Sequence, residues 1–185
     1  MTDTFHLNNS VCFREIKPHQ PLLTSTCKAE VDVSEFRESS PLLFGPEGKP
    51  QNQKPWKLPI MPLVAASPIL SLCHKHLGFL GALMFTMRPR SVVPMHIDSY
   101  RNVSLNMLID GWDSHTLFVN HLYFTELKYK PHKLYVYNAS ISHQVVNFDN
   151  YRYLLSVSFQ RMISYLDVVK FLESHNLLVS IDNED

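Results

Sequence analysis

Two histidines and one aspartate in this sequence have the types and spacing of a metal site. His96 and Asp98 lie two positions apart in the stretch 94–101, whose composition favours an extended strand. Successive strand side chains point to opposite faces, so positions i and i+2 share a face and these two side chains converge. His143, from a later strand, is the candidate for the third ligand. Together they predict the two-histidine, one-carboxylate set that binds non-heme iron and leaves coordination positions open.

Each ligand also has a plainer interpretation when it is taken alone. Asp98 is compatible with a residue at the end of a strand that bonds the turn at Ser99-Tyr100. His143 is equally compatible with a hydrogen-bonded histidine in the core. The metal hypothesis therefore depends on all three residues occurring together.

An arginine follows the distal histidine by nine residues (152 − 143 = 9). Strand alternation puts Arg152 on one face with Leu154, Ser156 and Ser158. A buried guanidinium is costly unless it pairs with an anion, and its planar fork matches a carboxylate. We therefore expect Arg152 to bind a carboxylate near the metal, with a surface ion pair to Asp149 as the alternative.

Composition indicates one domain and limits the classes of partner. The chain has 185 residues, of which 45% are hydrophobic and 11% aromatic, enough for a sizeable core. Its formal net charge is zero at neutral pH, so nucleic acid is not an expected partner. Neither a secretory signal nor a membrane-spanning stretch is evident. The cysteines number three, at spacings unlike those of a disulfide framework, and we expect a soluble, cytoplasmic protein.

The N-terminal part, residues 1–75, shows weak periodicity and is expected to wrap around the core. Within it, the segment 44–59 holds four prolines and two glycines, which predict a long loop, either a lid or a surface connection. Ser67 as N-cap, Pro68 at the first position and Gly78 as the stop predict a short helix over 67–77. His74 and His76 are two residues apart on that helix and do not share a face, so we expect a structural role for them.

From residue 79 onward the pattern changes to short strands separated by turns. These strands are rich in β-branched and aromatic residues and cover 79–87, 91–98, 101–109, 116–120, 123–129, 132–137, 143–146 and 151–159. Asp110-Gly111 is a hairpin signal between the third and fourth. No helix-length segment intervenes, so we expect an antiparallel sandwich or jelly-roll over 79–160. Ser164 and Asp167 predict a capping box that starts a helix over 164–175.

The order of these residues resembles that of the iron(II)- and 2-oxoglutarate-dependent oxygenases. H-x-D comes first, a distal histidine follows, and an arginine lies about ten residues later. More narrowly, 94–98 with Arg101 and Leu105-Asn106, followed by 143–147 and Arg152, is similar to the aspartyl/asparaginyl and prolyl hydroxylase-like branch. Some aspartyl/asparaginyl hydroxylases lack the carboxylate ligand, whereas this chain has Asp98. The resemblance covers about residues 79–160 and implies a mainly β, double-stranded β-helix core, cupin-like, with a few flanking helices.

The resemblance also implies an activity. The expected reaction is hydroxylation of a C–H bond, with succinate and CO2 as co-products and a small molecule, an amino acid or a peptide side chain as substrate. The expected cofactors are Fe(II) and 2-oxoglutarate, with ascorbate as an optional addition. The alternative is a cupin-like protein that binds a metal or small molecule without oxygenase activity.

The same resemblance implies roles for particular residues. His96, Asp98 and His143 would hold iron, while Arg152 and Asn106 would bind the cosubstrate. It also implies a substrate contact from Arg101. Position on the predicted strands adds Asn138, near the expected pocket mouth, and Tyr137, whose phenol could bind substrate or belong to the core. Arg101 reaches the pocket only if a turn at Ser99-Tyr100 resets the strand alternation.

Overall fold

The structure is a computed structural model that describes residues 9–17, 53–120, 123–130 and 132–179. In chain order the helices and strands are α1 Asn9–Cys12, β1 Phe13–Glu15, β2 Gln53–Leu58, α2 Ile60–Ala66, α3 Pro68–His76, β3 Phe79–Met87, β4 Ser91–His96, β5 Val103–Asp110, β6 His115–Asn120, β7 Tyr123–Leu127, β8 Leu134–Asn138, β9 His143–Asn147, β10 Arg152–Phe159 and α4 Tyr165–Ser174. Among the described helices, none is both long and apolar enough to cross a membrane.

The strands form two antiparallel sheets that pack face to face. The larger sheet has the order β1-β8-β5-β10-β3-β2, and the smaller has the order β4-β9-β6-β7. Apolar side chains from both sheets meet in one buried cluster, to which the larger sheet contributes Phe13, Leu108 and Leu154 and the smaller sheet Phe118 and Leu127. This arrangement confirms the predicted mainly β jelly-roll core.

The larger sheet is covered on its other face by α2, α3 and α4. Their side chains join a second buried cluster with Leu155, Val157 and Phe159 of β10. Because both faces of the sheet are covered, all eight residues of β10 are buried. Alternation then sends Arg152, Leu154, Ser156 and Ser158 toward the smaller sheet, so polar side chains line the space between the two sheets.

The strand that carries the first ligand is shorter than predicted. β4 ends at His96, and the register with β9 shifts between Val93 and His96. Asp98 lies just beyond the strand, where its backbone N–H donates to the carbonyl of Ala139 at 3.2 Å. Since β5 begins only at Val103, the intervening turn breaks the alternation between the two strands.

Asp110-Gly111 was predicted to close a hairpin, and this prediction is wrong. β5 pairs with β8 and β10, whereas β6 pairs with β7 and β9, so the turn carries the chain from the larger sheet to the smaller one. Gly111 has φ +87°, and a Cβ there would lie 2.6 Å from both Arg152 Cα and Tyr151 O. Glycine is required because the turn passes directly against the start of β10.

The proline-rich segment also differs from its prediction. Gln53–Leu58 forms β2 at the edge of the larger sheet, paired with β3, and Pro55 lies opposite Phe85. Proline lacks the N–H that a central strand needs, but an edge strand has one side without a partner strand. Residues 44–52 lie outside the described part of the chain, as do 1–8 and 18–43.

The helices α3 and α4 begin at the predicted capping residues. Ser67 Oγ accepts a hydrogen bond from Leu70 N at the start of α3, and Gly78 follows its end with φ +73°. At α4, Ser164 Oγ accepts from Asp167 N while the Asp167 carboxylate accepts from Ser164 N. The histidines of α3 pack against aromatic rings, His74 on Phe79 and His76 on Phe171.

Candidate active site

The structure brings the three predicted metal ligands together at one end of the smaller sheet. His96 ends β4, His143 begins β9, and the two are paired in register. Asp98 joins them from the turn after β4. One ligand atom from each residue lies within 4.8 Å of the other two. This spacing allows all three to contact a single metal ion.

Both histidines are oriented by the backbone two residues before them. Nδ1 of His96 lies 2.8 Å from the Pro94 carbonyl, and Nδ1 of His143 lies 2.8 Å from the Ile141 carbonyl. A carbonyl can only accept, so each Nδ1 carries a proton, and each Nε2 has a free lone pair when its ring is neutral. Nε2 of His96 faces Oδ1 of Asp98 at 3.5 Å. Such bonds fix the ring orientation that a metal ligand needs.

The protonation states of two ligands also suit a cation. Burial raises the pKa of Asp98, but the hydrogen bond with His96 and the charge and hydrogen bond of Arg101 outweigh it and bring the pKa to about 2. Burial lowers the pKa of His143 below its ordinary value. At neutral pH Asp98 is therefore ionised and His143 is neutral, the forms in which they bind metals.

The ligands open into a cavity of about 150 Å³ between the two sheets. Its walls combine apolar side chains, cations and groups that form hydrogen bonds. They are Phe85, Asn106, Thr116, Tyr129, Tyr137, Val145, Arg152 and Leu154, with Arg101 beside the ligands. The cavity thus joins the candidate metal ligands to the inner face of β10.

Arg152 is a buried cation in the wall of this cavity, with only 1% of its surface exposed. Nε donates to Ser114 Oγ at 3.0 Å, Nη1 approaches the sulfur of Met87 at 3.8 Å, and the guanidinium lies 5.8 Å from the Tyr129 ring. In the described part of the chain no carboxylate lies within ion-pair distance of it. The alternative pairing with Asp149 is wrong, because that carboxylate contacts Arg90 at 3.4 Å.

The overall arrangement is similar to solved structures of hydroxylases. One is a prolyl-4-hydroxylase from Pseudomonas putida, with a TM-score of 0.58 and 16% identity over 80% of this chain and 92% of that one. Another is a prolyl hydroxylase from Trichoplax adhaerens in complex with a hypoxia inducible factor peptide fragment, with a TM-score of 0.58 and 14% identity over 83% and 85%. The chain has the fold of the 2-oxoglutarate- and iron(II)-dependent oxygenases.

A third similar structure contains bound ligands. HygX from Streptomyces hygroscopicus, with nickel and 2-oxoglutarate bound, has a TM-score of 0.53 and 9% identity over 88% of each chain. No protein-family model and no curated protein sequence matches the chain. The likeness to the oxygenases therefore lies in the fold.

Asn106 lines the same cavity and forms hydrogen bonds with three polar side chains. Its Oδ1 accepts hydrogen bonds from Ser104 Oγ at 2.9 Å and from Ser156 Oγ at 2.7 Å. Its Nδ2 donates to the Tyr129 hydroxyl at 3.4 Å. Asn106 therefore connects the inner face of β10 to the aromatic residue beside Arg152.

Two polar residues of the cavity were not predicted from the sequence, Tyr129 and Thr116. Tyr129 follows β7 and is buried, and burial raises its pKa. Thr116 lies on β6, where its buried hydroxyl has no hydrogen-bond partner among the described residues. A small polar residue two positions before the inward-facing Phe118 was the available signal for Thr116. For Tyr129 the sequence offered none, because an aromatic residue beside a strand is usually part of the core.

The three residues expected to contact substrate differ from one another in their positions relative to the cavity. Tyr137 is buried with its ring 5.2 Å from that of His143, and burial raises its pKa well above the ordinary value, so it stays a neutral donor. Asn138 is not among the residues that line the cavity. Its Nδ2 donates to the Val11 carbonyl at 2.8 Å and its Oδ1 accepts from Ser140 N and Oγ. The Asn138 amide therefore stabilises the turn that follows β8.

Arg101 does face the cavity, because the turn after β4 resets the alternation. Its Nε donates to Asp98 Oδ2 at 2.7 Å, and its Nη1 donates to Ser156 Oγ at 2.5 Å. The guanidinium lies 5.1 Å from the ring of Phe85. Its expected contact with substrate stays a prediction.

Proposed function

We propose that this protein is an Fe(II)- and 2-oxoglutarate-dependent dioxygenase that hydroxylates a C–H bond. One observation carries the proposal. Arg152 is a buried cation without an acidic partner among the described residues, and it lines the same cavity as His96, Asp98 and His143. A buried guanidinium calls for an anion, and a metal-binding protein with no acidic cosubstrate would not need one there.

The donor set fits iron(II). Two imidazole nitrogens and one carboxylate oxygen form the facial arrangement of non-heme iron oxygenases. The backbone carbonyls that orient His96 and His143 supply the outer shell that such ligands require. When bound, iron(II) would activate O2, the oxidant, and decarboxylation of 2-oxoglutarate to succinate and CO2 would supply two electrons, so that one oxygen atom enters succinate and the other the C–H bond.

The cavity also fits a dicarboxylate cosubstrate. Arg152 presents a planar fork for the carboxylate farthest from the metal. Thr116 adds a hydroxyl that still lacks a partner among the described residues, and Tyr129 and Asn106 lie along the same wall. The apolar side chains of Val145 and Leu154 restrict water in the cavity, which strengthens these charged contacts.

We further propose an amino acid or a peptide side chain as the substrate, and the cytoplasm as the location. Similarity of fold to two prolyl hydroxylases, one solved with a peptide, supports this substrate class. Free thiols at the buried residues Cys12 and Cys73 suit a reducing compartment. Succinate release measured against free amino acids, peptides and nucleosides would identify the class. Release stimulated only by nucleosides would contradict it.

The proposal is tested by anaerobic addition of 2-oxoglutarate to the iron(II)-loaded protein. We expect the weak visible charge-transfer band of a chelated 2-oxo acid. Arg152→Ala should weaken cosubstrate binding at least tenfold, since a charge-assisted bidentate contact is lost. Arg90→Ala removes an arginine whose side chain is 85% exposed and should leave the titration unchanged. Absence of the band in folded, iron-loaded protein would rule out the proposed activity and favour a cupin-like metal-binding protein.

A further inference from the structure

The two carboxylate oxygens of Asp98 have different surroundings. Oδ1 lies 3.5 Å from Nε2 of His96, a residue whose ligand atom converges with those of Asp98 and His143. Oδ2 instead accepts a hydrogen bond from Nε of Arg101 at 2.7 Å. One oxygen therefore faces a candidate metal ligand, and the other is held by a cation.

Arg101 is itself held in place from the opposite sheet. Its Nη1 donates to Ser156 Oγ at 2.5 Å, and Ser156 Oγ donates onward to Asn106 Oδ1 at 2.7 Å. The guanidinium lies 5.1 Å from the Phe85 ring, and only 13% of the side chain is exposed. A guanidinium fixed at both of these nitrogens has little freedom to leave Asp98.

We propose that Arg101 is a positioning residue that keeps Asp98 a single-oxygen metal ligand. A carboxylate can bind a metal ion through one oxygen or through both. If both oxygens of Asp98 were bound, one of the positions that the facial set leaves open would be lost. The bond to Arg101 occupies Oδ2 and so preserves all of the open positions. This inference rests on the proposed function for its purpose, since a chelating 2-oxo acid and dioxygen together need those positions.

The hydrogen bonds that Arg101 already forms distinguish a positioning role from a role in substrate binding. Two of its three nitrogens already donate to Asp98 and Ser156. A guanidinium that served only to attract a substrate anion would not need to be anchored to a metal ligand. The expected consequence of losing Arg101 is therefore a change in the metal's coordination, visible without substrate or cosubstrate.

The test counts the water molecules bound to Mn(II) by deuterium-exchanged electron spin-echo spectroscopy. Mn(II) alone is added, without a 2-oxo acid. We expect about three bound waters in the unaltered protein and about two in Arg101→Gln, because both oxygens of Asp98 then reach the metal. Arg90→Gln is the matched control, since it removes the same charge from an exposed arginine–aspartate pair and should leave the water number unchanged.

Arg101→Lys provides a second measurement if the glutamine variant does not fold. An ammonium group keeps the charge but lacks the rigid fork that bonds Asp98 and Ser156 together, so the same loss of one water is expected. An unchanged water number in a folded Arg101 variant would overturn the positioning role and leave the proposed function standing. If the unaltered protein failed to bind Mn(II), the metal site itself would be overturned and both proposals with it.

Discussion

At the scale of single residues, the site combines polar groups that have hydrogen-bond or charged partners in the protein with polar groups that lack them. The histidine Nδ1 atoms, Asp98 Oδ2 and Asn106 all have protein partners. The buried charge of Arg152 and the hydroxyl of Thr116 lack comparable partners among the described residues. Unsatisfied buried polar groups cost free energy, so their presence in one cavity indicates where a ligand binds.

The metal ligands give the first prediction at this scale. Asp98→Ala and His143→Ala should each abolish stoichiometric iron binding, because two remaining donors do not form a facial set. Iron content is measured by atomic emission after dialysis of the loaded protein. His74→Ala, which alters a histidine packed on Phe79, serves as the control and should keep full occupancy. Full occupancy in both ligand variants would refute the assignment.

Thr116→Val gives a second prediction, in which stability and binding change in opposite directions. Valine has nearly the same shape but no hydroxyl, so the ligand-free protein should gain about 1 kcal/mol in free energy of unfolding. The affinity for 2-oxoglutarate should fall, because a donor to its carboxylate is lost. Urea unfolding and cosubstrate titration measure the two effects. Unchanged affinity would show that this hydroxyl does not contact the cosubstrate.

At the scale of elements, β10 determines the geometry of the cavity. It pairs with β5 and β3, and it is covered by helices on one face and by the smaller sheet on the other. The turn at Gly111 packs against the backbone of Tyr151 and Arg152 and so sets the position of the first residue of this strand. A change in that turn is therefore expected to move the cationic end of the site.

Gly111→Ala tests this dependence. The added Cβ would lie 2.6 Å from Arg152 Cα and Tyr151 O, at a backbone conformation that disfavours alanine. We expect a loss of more than about 1 kcal/mol in free energy of unfolding, together with weaker 2-oxoglutarate binding. Gly81→Ala, in β3, has nothing within 4 Å of its new Cβ and is the matched control. Equal stability of the two variants in urea would contradict the packing argument.

The same elements explain how much could be predicted from the sequence. Alternation within β10 predicts the inward face, because that pattern depends only on the strand itself. The role of Asp110-Gly111 depends on which strands pair, and a turn signal does not distinguish a hairpin from a crossing between sheets. Asn138 shows the same limit, since its partner Val11 is distant in sequence. Pro55 fits a strand only because β2 is at an edge.

At the scale of the whole molecule, the two halves of the site belong to different sheets. The metal ligands come from β4, the turn after it and β9, whereas Arg152 and Asn106 come from the larger sheet. A ligand that contacts both groups would link the sheets and bind only the folded state. In metal-loaded protein, saturating 2-oxoglutarate should raise the thermal unfolding midpoint, by the equivalent of about 2.7 kcal/mol at a hundred times its Kd.

Calorimetry of the Arg152→Ala variant completes that prediction. The metal alone should still stabilise the variant, because its ligands are intact, but 2-oxoglutarate should add little. A full cosubstrate shift in the variant would show that the larger sheet does not hold the distal carboxylate.

The division of the site between two sheets also fixes the distance between the metal ligands and Arg152. The gap from the converging ligands on β4 and β9 to the guanidinium on β10 is fixed by how the sheets pack, and a rigid wall cannot adjust it. The affinities of the metal-loaded protein for homologous dicarboxylic 2-oxo acids should then depend on chain length alone. One methylene fewer, as in oxaloacetate, leaves the far carboxylate short of Arg152, and one more, as in 2-oxoadipate, forces a bent chain against Leu154 and Val145.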